Sequence, residues 1–196
     1  MSARVREPEA TRARLVAAAR ELFARRGYAD VGTEEIVRRA RVTRGALYHH
    51  FAGKRDLFRA VHQQVEEEVT ATVAGRLAGA GAADPVDALL EGTRTFLDAC
   101  TDPEIARIAL LDAPSVLGWA EWRRIEEEYA LGLVIAALEG GIAAGALRRQ
   151  PVRPLAHVLL AGYGEAGLVI ANADDPAAAR DEVEAALTSV IEGLRS

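Results

Sequence analysis

The sequence predicts an all-α protein of about nine helices, and three observations support this. Every long segment repeats apolar residues at the three- and four-residue spacing of a helix, and no run alternates as a strand would. Half of the 196 residues are hydrophobic, which is enough for a sizeable core, and 27% are charged. The single cysteine, Cys100, excludes an intrachain disulfide framework and agrees with a reducing compartment, so we expect a cytoplasmic protein.

Charge is divided unevenly along the chain. Residues 1–60 hold 14 basic and 7 acidic residues, a net charge of +7, whereas residues 61–196 carry a net charge of −12. A basic head on an acidic body indicates that one part meets a polyanion. The two most apolar segments are interrupted by Glu139, His157 and Glu165. We therefore interpret both as buried helices and expect no membrane partner.

The first four helices are predicted from apolar stripes and end signals. Gly27 is placed to end the first helix as a C-terminal cap. Thr33 and Thr43 are placed to cap the second and third, and two glutamates follow Thr33 at the positive end of the helix dipole. The four predicted helices cover residues 11–26, 33–40, 43–50 and the segment that begins at residues 53–54.

Five further helices follow a probable link, "AGAGAADP", at residues 78–85. Their apolar positions again recur at helical spacing. They cover about 86–99, the segment from "TDP" to "DAPSVLGW" (101–119), 119–147, 155–172 and 177–194. We place the domain boundary after the basic head, with residues 1–57 as one domain and 58–196 as the other.

The segment "VTRGALYHHFAGKRDL" at residues 42–57 lies at the second of two helices joined by a very short turn, which predicts a helix-turn-helix. If Leu47 and Phe51 face inward, helical geometry directs Gly45 and His49 outward, and Arg44 projects from the N-terminal end. A recognition helix reads bases with its N-terminal residues, and arginine can bond guanine in bidentate fashion. The predicted partner is therefore double-stranded DNA.

The stretch "TRARLVAAARELFARRGYADVGTEEIVRRARVTRGALYHHFAGKRDLF" resembles the N-terminal DNA-binding domain of the TetR family of transcriptional regulators. Its most specific part is the spacing of Tyr48, His50, Phe51 and Lys54. In two places the chain departs from the family pattern, with Arg41 where the turn usually has glycine and Val37 where the preceding helix usually has alanine. Position by position, the resemblance implies DNA contacts at Thr33, Thr43, Arg44, Gly45, Tyr48, His49, His50 and Lys54. We expect Arg44 and His49 to read bases and the others to bind the backbone.

The resemblance also implies a homodimer whose helical C-terminal domain binds a small effector. Aromatic residues at helical spacing are usually core, but in this family the same helices line the effector cavity. The ligand-binding candidates are Phe96, Cys100, Trp119, Trp122 and Tyr129. The glycine- and alanine-rich eighth helix and the ninth helix are candidates for the dimer interface, with an internally packed helix as the alternative. The interface candidates are Leu155, Leu159, Gly162, Ala166, Val183, Leu187 and Val190.

No catalytic or metal-binding pattern stands out. Ser115 lacks the glycine flanks of a nucleophile elbow. Adjacent histidines in a helix point in different directions, and no cysteine or carboxylate completes a metal set around His49 and His50. We therefore expect neither an enzyme nor a cofactor.

The sequence-based hypothesis is a repressor that leaves a palindromic operator when a hydrophobic or aromatic effector binds. The nearer alternative is an activator or a ligand-independent regulator. The more distant alternative is a helical enzyme or carrier with a vestigial DNA-binding head, which would show turnover and no salt-dependent DNA binding.

Overall fold

Helices make up most of the chain in the computed structural model, which describes residues 3–79 and 84–196. The described part contains nine helical segments and no strand, so the all-α prediction is confirmed. The sixth consists of Pro103–Ile105, a π-helical stretch Ala106–Asp112, and Ala113–Leu117. The segments are α1 (Ala3–Arg26), α2 (Thr33–Ala40), α3 (Arg44–His50), α4 (Lys54–Gly79), α5 (Pro85–Cys100), α6 (103–117), α7 (Trp119–Ala143), α8 (Val152–Ala171) and α9 (Pro176–Glu192).

Helix ends follow the predicted signals with one exception. Gly27 ends α1 with a φ of 77°, and the hydroxyl of Thr43 accepts a hydrogen bond from the Ala46 amide at 3.2 Å. The expected cap at Thr33 is wrong, because Gly32 is the N-cap of α2 and Thr33 is already its first helical residue. Part of the predicted link, residues 80–83, lies outside the described residues, while the carboxylate of Asp84 caps α5.

The small N-terminal bundle packs around an aromatic cluster. Phe23 of α1 and Phe58 of α4 are fully buried, with ring centroids 5.3 Å apart, and Tyr28 closes the cluster at 5.2 Å from Phe58. Leu47 and Phe51 face this core, as the helical spacing predicts. Their burial sets which face of α3 remains outside.

The larger bundle is formed by the rest of α4 together with α5, α7, α8 and α9. Helix α4 contacts α1 at one end and α5 and α7 along its length, so it crosses the predicted boundary at residues 57/58 without interruption. Among the described helices, α8 is the one that is long and apolar enough to cross a membrane, but 44% of its most apolar window is buried against the protein. Its contacts with α7 and α9 are those of a bundle helix.

Helix α6 lies between α1 and α8 and includes a widened turn. Pro114 has no amide hydrogen and cannot bond to the Leu110 carbonyl as an α-helix requires, which accounts for the π-helical winding just before it. The indole Nε1 of Trp122 donates to the Ala109 carbonyl at 3.1 Å and fixes this stretch to α7.

Arg41, in the turn between α2 and α3, has left-handed backbone angles of φ 55° and ψ 47°. The amide of Val42 donates to the Val37 carbonyl at 3.0 Å, so α2 ends in this turn and the chain continues directly to α3. A side chain at such a position strains the backbone by ~1–2 kcal/mol. The family's glycine would avoid that strain.

We expect Arg41→Gly to raise the free energy of unfolding by about 0.5–1 kcal/mol, because relief of strain exceeds the entropy that glycine adds to the unfolded chain. Arg41→Ala removes the same charge and keeps the strain, so it is the control. Urea unfolding of the three proteins measures the effect. A glycine variant no more stable than the alanine variant would contradict the argument.

Candidate nucleic-acid interface and ligand cavity

Helix α3 presents a polar face to solvent. Arg44, Gly45, Tyr48 and His49 are exposed, whereas His50 is half-buried beside Phe51. The Arg44 guanidinium lies 5.6 Å from the Tyr48 ring centroid and 3.6 Å from the Glu34 carboxylate. Both Arg44 and Glu34 are more than two-thirds exposed, and such ion pairs contribute at most ~1 kcal/mol. Arg44 can therefore leave this contact for another partner.

Gly45 has no structural requirement for glycine within the chain. A Cβ atom there would find the Thr43 hydroxyl as its nearest contact at 3.9 Å, and the backbone has no positive φ. A larger residue would fit the isolated protein. The absence of a side chain instead leaves the outer surface of α3 open to close approach by a partner.

Lys54 is placed differently from the sequence-based expectation. Its ammonium donates to the carbonyl oxygens of Tyr28 and Val31 at 2.8 and 2.9 Å and lies 4.0 Å from the Tyr28 ring centroid. Burial lowers the pKa of Lys54 from its usual value. The side chain thus links the start of α4 to the turn after α1, and its contact with a phosphate stays a prediction that the ammonium could meet only by leaving these carbonyl groups.

Most arginines of the basic head are held in ion pairs within the chain. Arg39 pairs with Glu21, Arg26 with Glu35, and Arg20 with Glu68 and Glu104. Arg38 and Arg41 are exposed and have no ion pair with any described residue; they are a feature of this surface that the motif did not indicate. Their side chains line a shallow depression next to Arg39.

The start of α4 is joined to the end of α6. Arg55 donates to the carbonyl oxygens of Val116 and Leu117 at 3.0 and 2.7 Å and to the Glu121 carboxylate at 2.7 Å. On α1's side, the Tyr28 amide donates to Asp112 of α6 at 2.7 Å. The basic head is therefore held to α6 at two points.

A cavity opens between α4, α5, α7 and α8. Its volume, measured as the space that the centre of a water molecule can occupy, is about 90 Å³. By the same measure one water molecule needs ~10–15 Å³. Aliphatic side chains and Phe96 form most of its wall. The polar groups are Glu66, Glu126, Thr70 and a hydroxyl pair, Thr93 and Tyr163, whose oxygens lie 3.0 Å apart.

Of the five predicted ligand-binding residues, Phe96 lines the cavity and the other four lie outside its wall. Trp119 is 63% exposed on the surface, and Trp122 is buried in the core against α6. Cys100 is buried near Gly167, and burial raises the pKa of its thiol, which disfavours a reactive thiolate. Helical spacing indicated a shared stripe on α7, but Trp122 on that stripe faces α6, whereas Glu126 of the same helix faces the cavity.

The predicted dimer residues divide into two groups. Leu159, Ala166 and Leu187 are at most 9% exposed and lie in the core of their own protomer, and their part in an interface stays a prediction. Leu155, Gly162 and Val183 are half-buried, and Val190 is 54% exposed. Val158, Ala161 and Val169 form an exposed apolar face of α8, and the two valines were not among the predicted interface residues.

Three ionisable side chains at or next to the cavity have pKa values far from their usual ones. Burial, with a smaller effect of the Glu126 carboxylate, raises the pKa of Glu66 to about 8, and burial raises the pKa of Glu126 to about 7. Burial lowers the pKa of His62, one turn before Glu66, to about 4. Near neutral pH, Glu66 is therefore mostly protonated and His62 is neutral.

Comparison with known families agrees with this geometry. Residues 86–194 match the family described as "Tetracyclin repressor-like, C-terminal domain", and residues 15–61 match "Bacterial regulatory proteins, tetR family". A TetR-family transcriptional regulator from Pectobacterium atrosepticum has a similar structure, with a TM-score of 0.87, 32% sequence identity, and coverage of 100% of this chain and 98% of the other.

Other relatives match less of the chain. The Transposon Tn10 TetC protein of Escherichia coli is 32% identical over 122 residues, which cover 62% of this chain and 60% of TetC. The A-factor receptor protein of Streptomyces griseus is 38% identical over 93 residues, 47% of this chain and 31% of the receptor. The chain thus spans less than two thirds of these curated relatives. RolR in complex with resorcinol shares the fold, with a TM-score of 0.66 and 22% identity over 95% of this chain and 89% of RolR.

The fold and the matched regions define a helix-turn-helix protein with a helical C-terminal domain. The chain belongs to the TetR family of transcriptional regulators.

We expect Lys54→Met to lower the free energy of unfolding by about 1–3 kcal/mol, because two carbonyl groups lose a charged donor. Arg44→Met, which removes an exposed cation, should change it by less than about 0.5 kcal/mol. Urea unfolding of both variants provides the measurement. Equal stability of the Lys54 variant and the wild type would show that the ammonium is not a structural link.

We expect Glu66→Gln to gain stability relative to wild type as pH rises from about 4.5 to 8. In that window the folded wild type holds a proton that the unfolded chain has released, so its stability falls as pH rises, whereas glutamine cannot ionise. Thermal unfolding across this pH range measures the difference. Glu67→Gln, at the next, exposed position, is the matched control and should show a constant difference.

Proposed function

We propose that this protein is a cytoplasmic, homodimeric repressor that binds a palindromic DNA operator and leaves it when a small effector occupies the cavity. The observation that carries the proposal is the geometry of α3. It exposes a weakly held arginine and an open glycine at its N-terminal end, where a recognition helix meets bases. Family membership adds to this support.

Arg44 and His49 are the proposed base-reading residues. They are exposed at the first and second turns of α3, and arginine bonds guanine in bidentate fashion. Backbone contacts are assigned to the other exposed or half-exposed groups, and Lys54 can contribute its main-chain amide at the start of α4. The proposed backbone contacts are Thr33, Thr43, Gly45, Tyr48, His50 and the amide of Lys54.

Release from DNA is proposed to act through α4. This helix carries at its start the Lys54 contacts to the turn after α1 and the Arg55 contacts to the end of α6, and it supplies Glu66, Val69 and Thr70 to the cavity three to four turns later. An effector that favours one position of α4 shifts the spacing of the two recognition helices in a dimer. It can do so only through different affinities for the two states.

The dimer is proposed to form through the outer faces of α8 and α9. Val158, Val169 and Val190 are 45–66% exposed apolar side chains on these two helices. Exposed apolar faces of this kind mark protein–protein contacts. Two-fold symmetry of the protein then requires a palindromic operator, because each half-site faces one recognition helix.

We expect selection from a random DNA pool by the wild-type protein to enrich a palindrome, and Arg44→Ala to lose specificity at one base pair of each half-site. One lost bidentate contact weakens discrimination by about 1–3 kcal/mol. Arg124→Ala, which removes an exposed arginine of α7, is the control and should select the same site. The proposal fails if the wild type enriches no sequence at moderate salt.

We expect Val158→Glu to convert the dimer to monomers, because it places a charge on an apolar interface. Sedimentation equilibrium at several concentrations measures the mass. Ala71→Glu adds the same charge at an exposed position of α4 and should remain dimeric. An unchanged mass for the Val158 variant would assign the interface to another face.

A further inference from the structure

The polar end of the cavity contains acidic side chains and, among the described residues, no basic ones. Glu66 of α4 and Glu126 of α7 line it, and no lysine, arginine or histidine is among its lining residues. A Cβ atom at Gly164 of α8 would come within 3.2 Å of a Glu126 carboxylate oxygen, so glycine at this position leaves room for that group. The two acids are therefore accommodated by the fold at the cavity wall.

The two carboxyl groups differ in whether a cationic side chain is bound to them. Glu126 accepts a hydrogen bond from Arg123 at 3.0 Å. Glu66 has no cationic partner among the described residues; the nearest basic group is the Nδ1 atom of His62 at 3.8 Å. That imidazole is neutral near pH 7, because burial lowers its pKa to about 4. Glu66 thus faces the cavity without a counter-charge.

His62 adds a second unsatisfied polar group at the same end. It is fully buried, and neither ring nitrogen has a hydrogen-bond partner in the described part of the chain. Leaving a buried polar atom unpaired costs ~1–3 kcal/mol. The Nδ1 atom lies 3.8 Å from a carboxyl oxygen of Glu66, which lines the cavity, whereas His62 itself is not among the lining residues. A buried imidazole without hydrogen-bond partners therefore lies next to the Glu66 carboxyl group.

We propose that the effector is an amphipathic organic ammonium ion, whose cationic nitrogen binds Glu66 and whose apolar body fills the space between α4, α5, α7 and α8. This inference rests on the proposed function in one respect, that the cavity is the effector site. It adds a positive charge to the hydrophobic or aromatic molecule that the sequence suggested. Phe96 and the aliphatic wall remain the contacts of the apolar body.

Other charge types fit the cavity less well. An anion would meet two carboxyl groups and no lysine, arginine or histidine among the residues that line the cavity. A neutral molecule would leave Glu66 protonated and would gain no charge-assisted hydrogen bond from it. An ammonium ion can donate a charge-assisted hydrogen bond to the carboxylate, and such bonds are about twice as strong as neutral ones.

Binding of the cation is coupled to loss of a proton. Because the pKa of Glu66 is raised to about 8, the empty site holds a proton on that carboxyl group near pH 7. The ammonium ion keeps its own proton, the Glu66 proton goes to the buffer, and the total charge of the site is conserved. The neighbouring titratable groups are His62 on α4, Glu126 and Tyr129 on α7, Cys100 on α5 and Tyr163 on α8.

The test measures binding of three small probes to the full-length protein without DNA. Phenethylammonium, 2-phenylethanol and 3-phenylpropanoate share an aromatic body and differ in the charge of the polar end. Isothermal titration at pH 7, in phosphate and in Tris, gives both the affinity and the number of protons released. The variants are Glu66→Gln and the matched control Glu67→Gln.

We expect wild type to bind the ammonium probe at least about tenfold more tightly than the alcohol, with release of up to one proton. Glu67→Gln should keep this preference, and Glu66→Gln should lose both the preference and the proton release. Circular dichroism establishes that the variants are folded, and Glu126→Gln, expected to weaken cation binding less, is a second readout.

The inference is overturned if the alcohol or the carboxylate binds wild type as tightly as the ammonium ion does, if no probe binds at millimolar concentration, or if Glu66→Gln keeps the preference. None of these outcomes depends on DNA. Failure of the repressor proposal would appear separately, as a wild-type protein that selects no operator.

Discussion

The continuity of α4 is the constraint on which the rest of the structure depends. One helix of 26 residues begins among the groups that position α3 and ends along the cavity. Leu57, Phe58, Val61 and Val65 are buried in its first half and belong to one hydrophobic core that extends from α1 to α9, so both bundles pack against the same helix. In a close-packed interior a displacement of α4 requires neighbours to move with it.

Polar contacts fix the start of α4 in addition to the burial of its apolar side chains. At its start, Lys54 binds two carbonyl oxygens of the turn after α1, and Arg55 binds two at the end of α6. These donors are charged and their acceptors are main-chain groups, so each contact fixes backbone to side chain. Further along, α4 brings Glu66 to a cavity wall where burial keeps its carboxyl group protonated. One helix thus carries both the contacts that fix its start and the ionisable group that lines the cavity.

Much of the fold and of the outer face of α3 was predictable because both depend on local patterns. Apolar spacing located the helices to within a few residues, except that α1 begins at Ala3 and not at residue 11, and inward Leu47 and Phe51 determined the outer face of α3. Thr43 and Gly27 act at helix ends as their types suggest. Thr33 was assigned wrongly as a cap because Gly32 occupies the extended position before the helix.

What the sequence by itself determined was the helix content, the basic head, the recognition helix and its exposed residues, since each follows from spacing within one segment. Only the tertiary structure decided which apolar helix faces pack in the core, which line the cavity and which lie on the surface. It turned Lys54 inward, placed Trp122 against α6, buried Leu159 and exposed Val158, and put Glu66 on a cavity wall. The physical reason is that a helix repeat identifies which residues share a face, but only the neighbours packed against each face decide what that face meets.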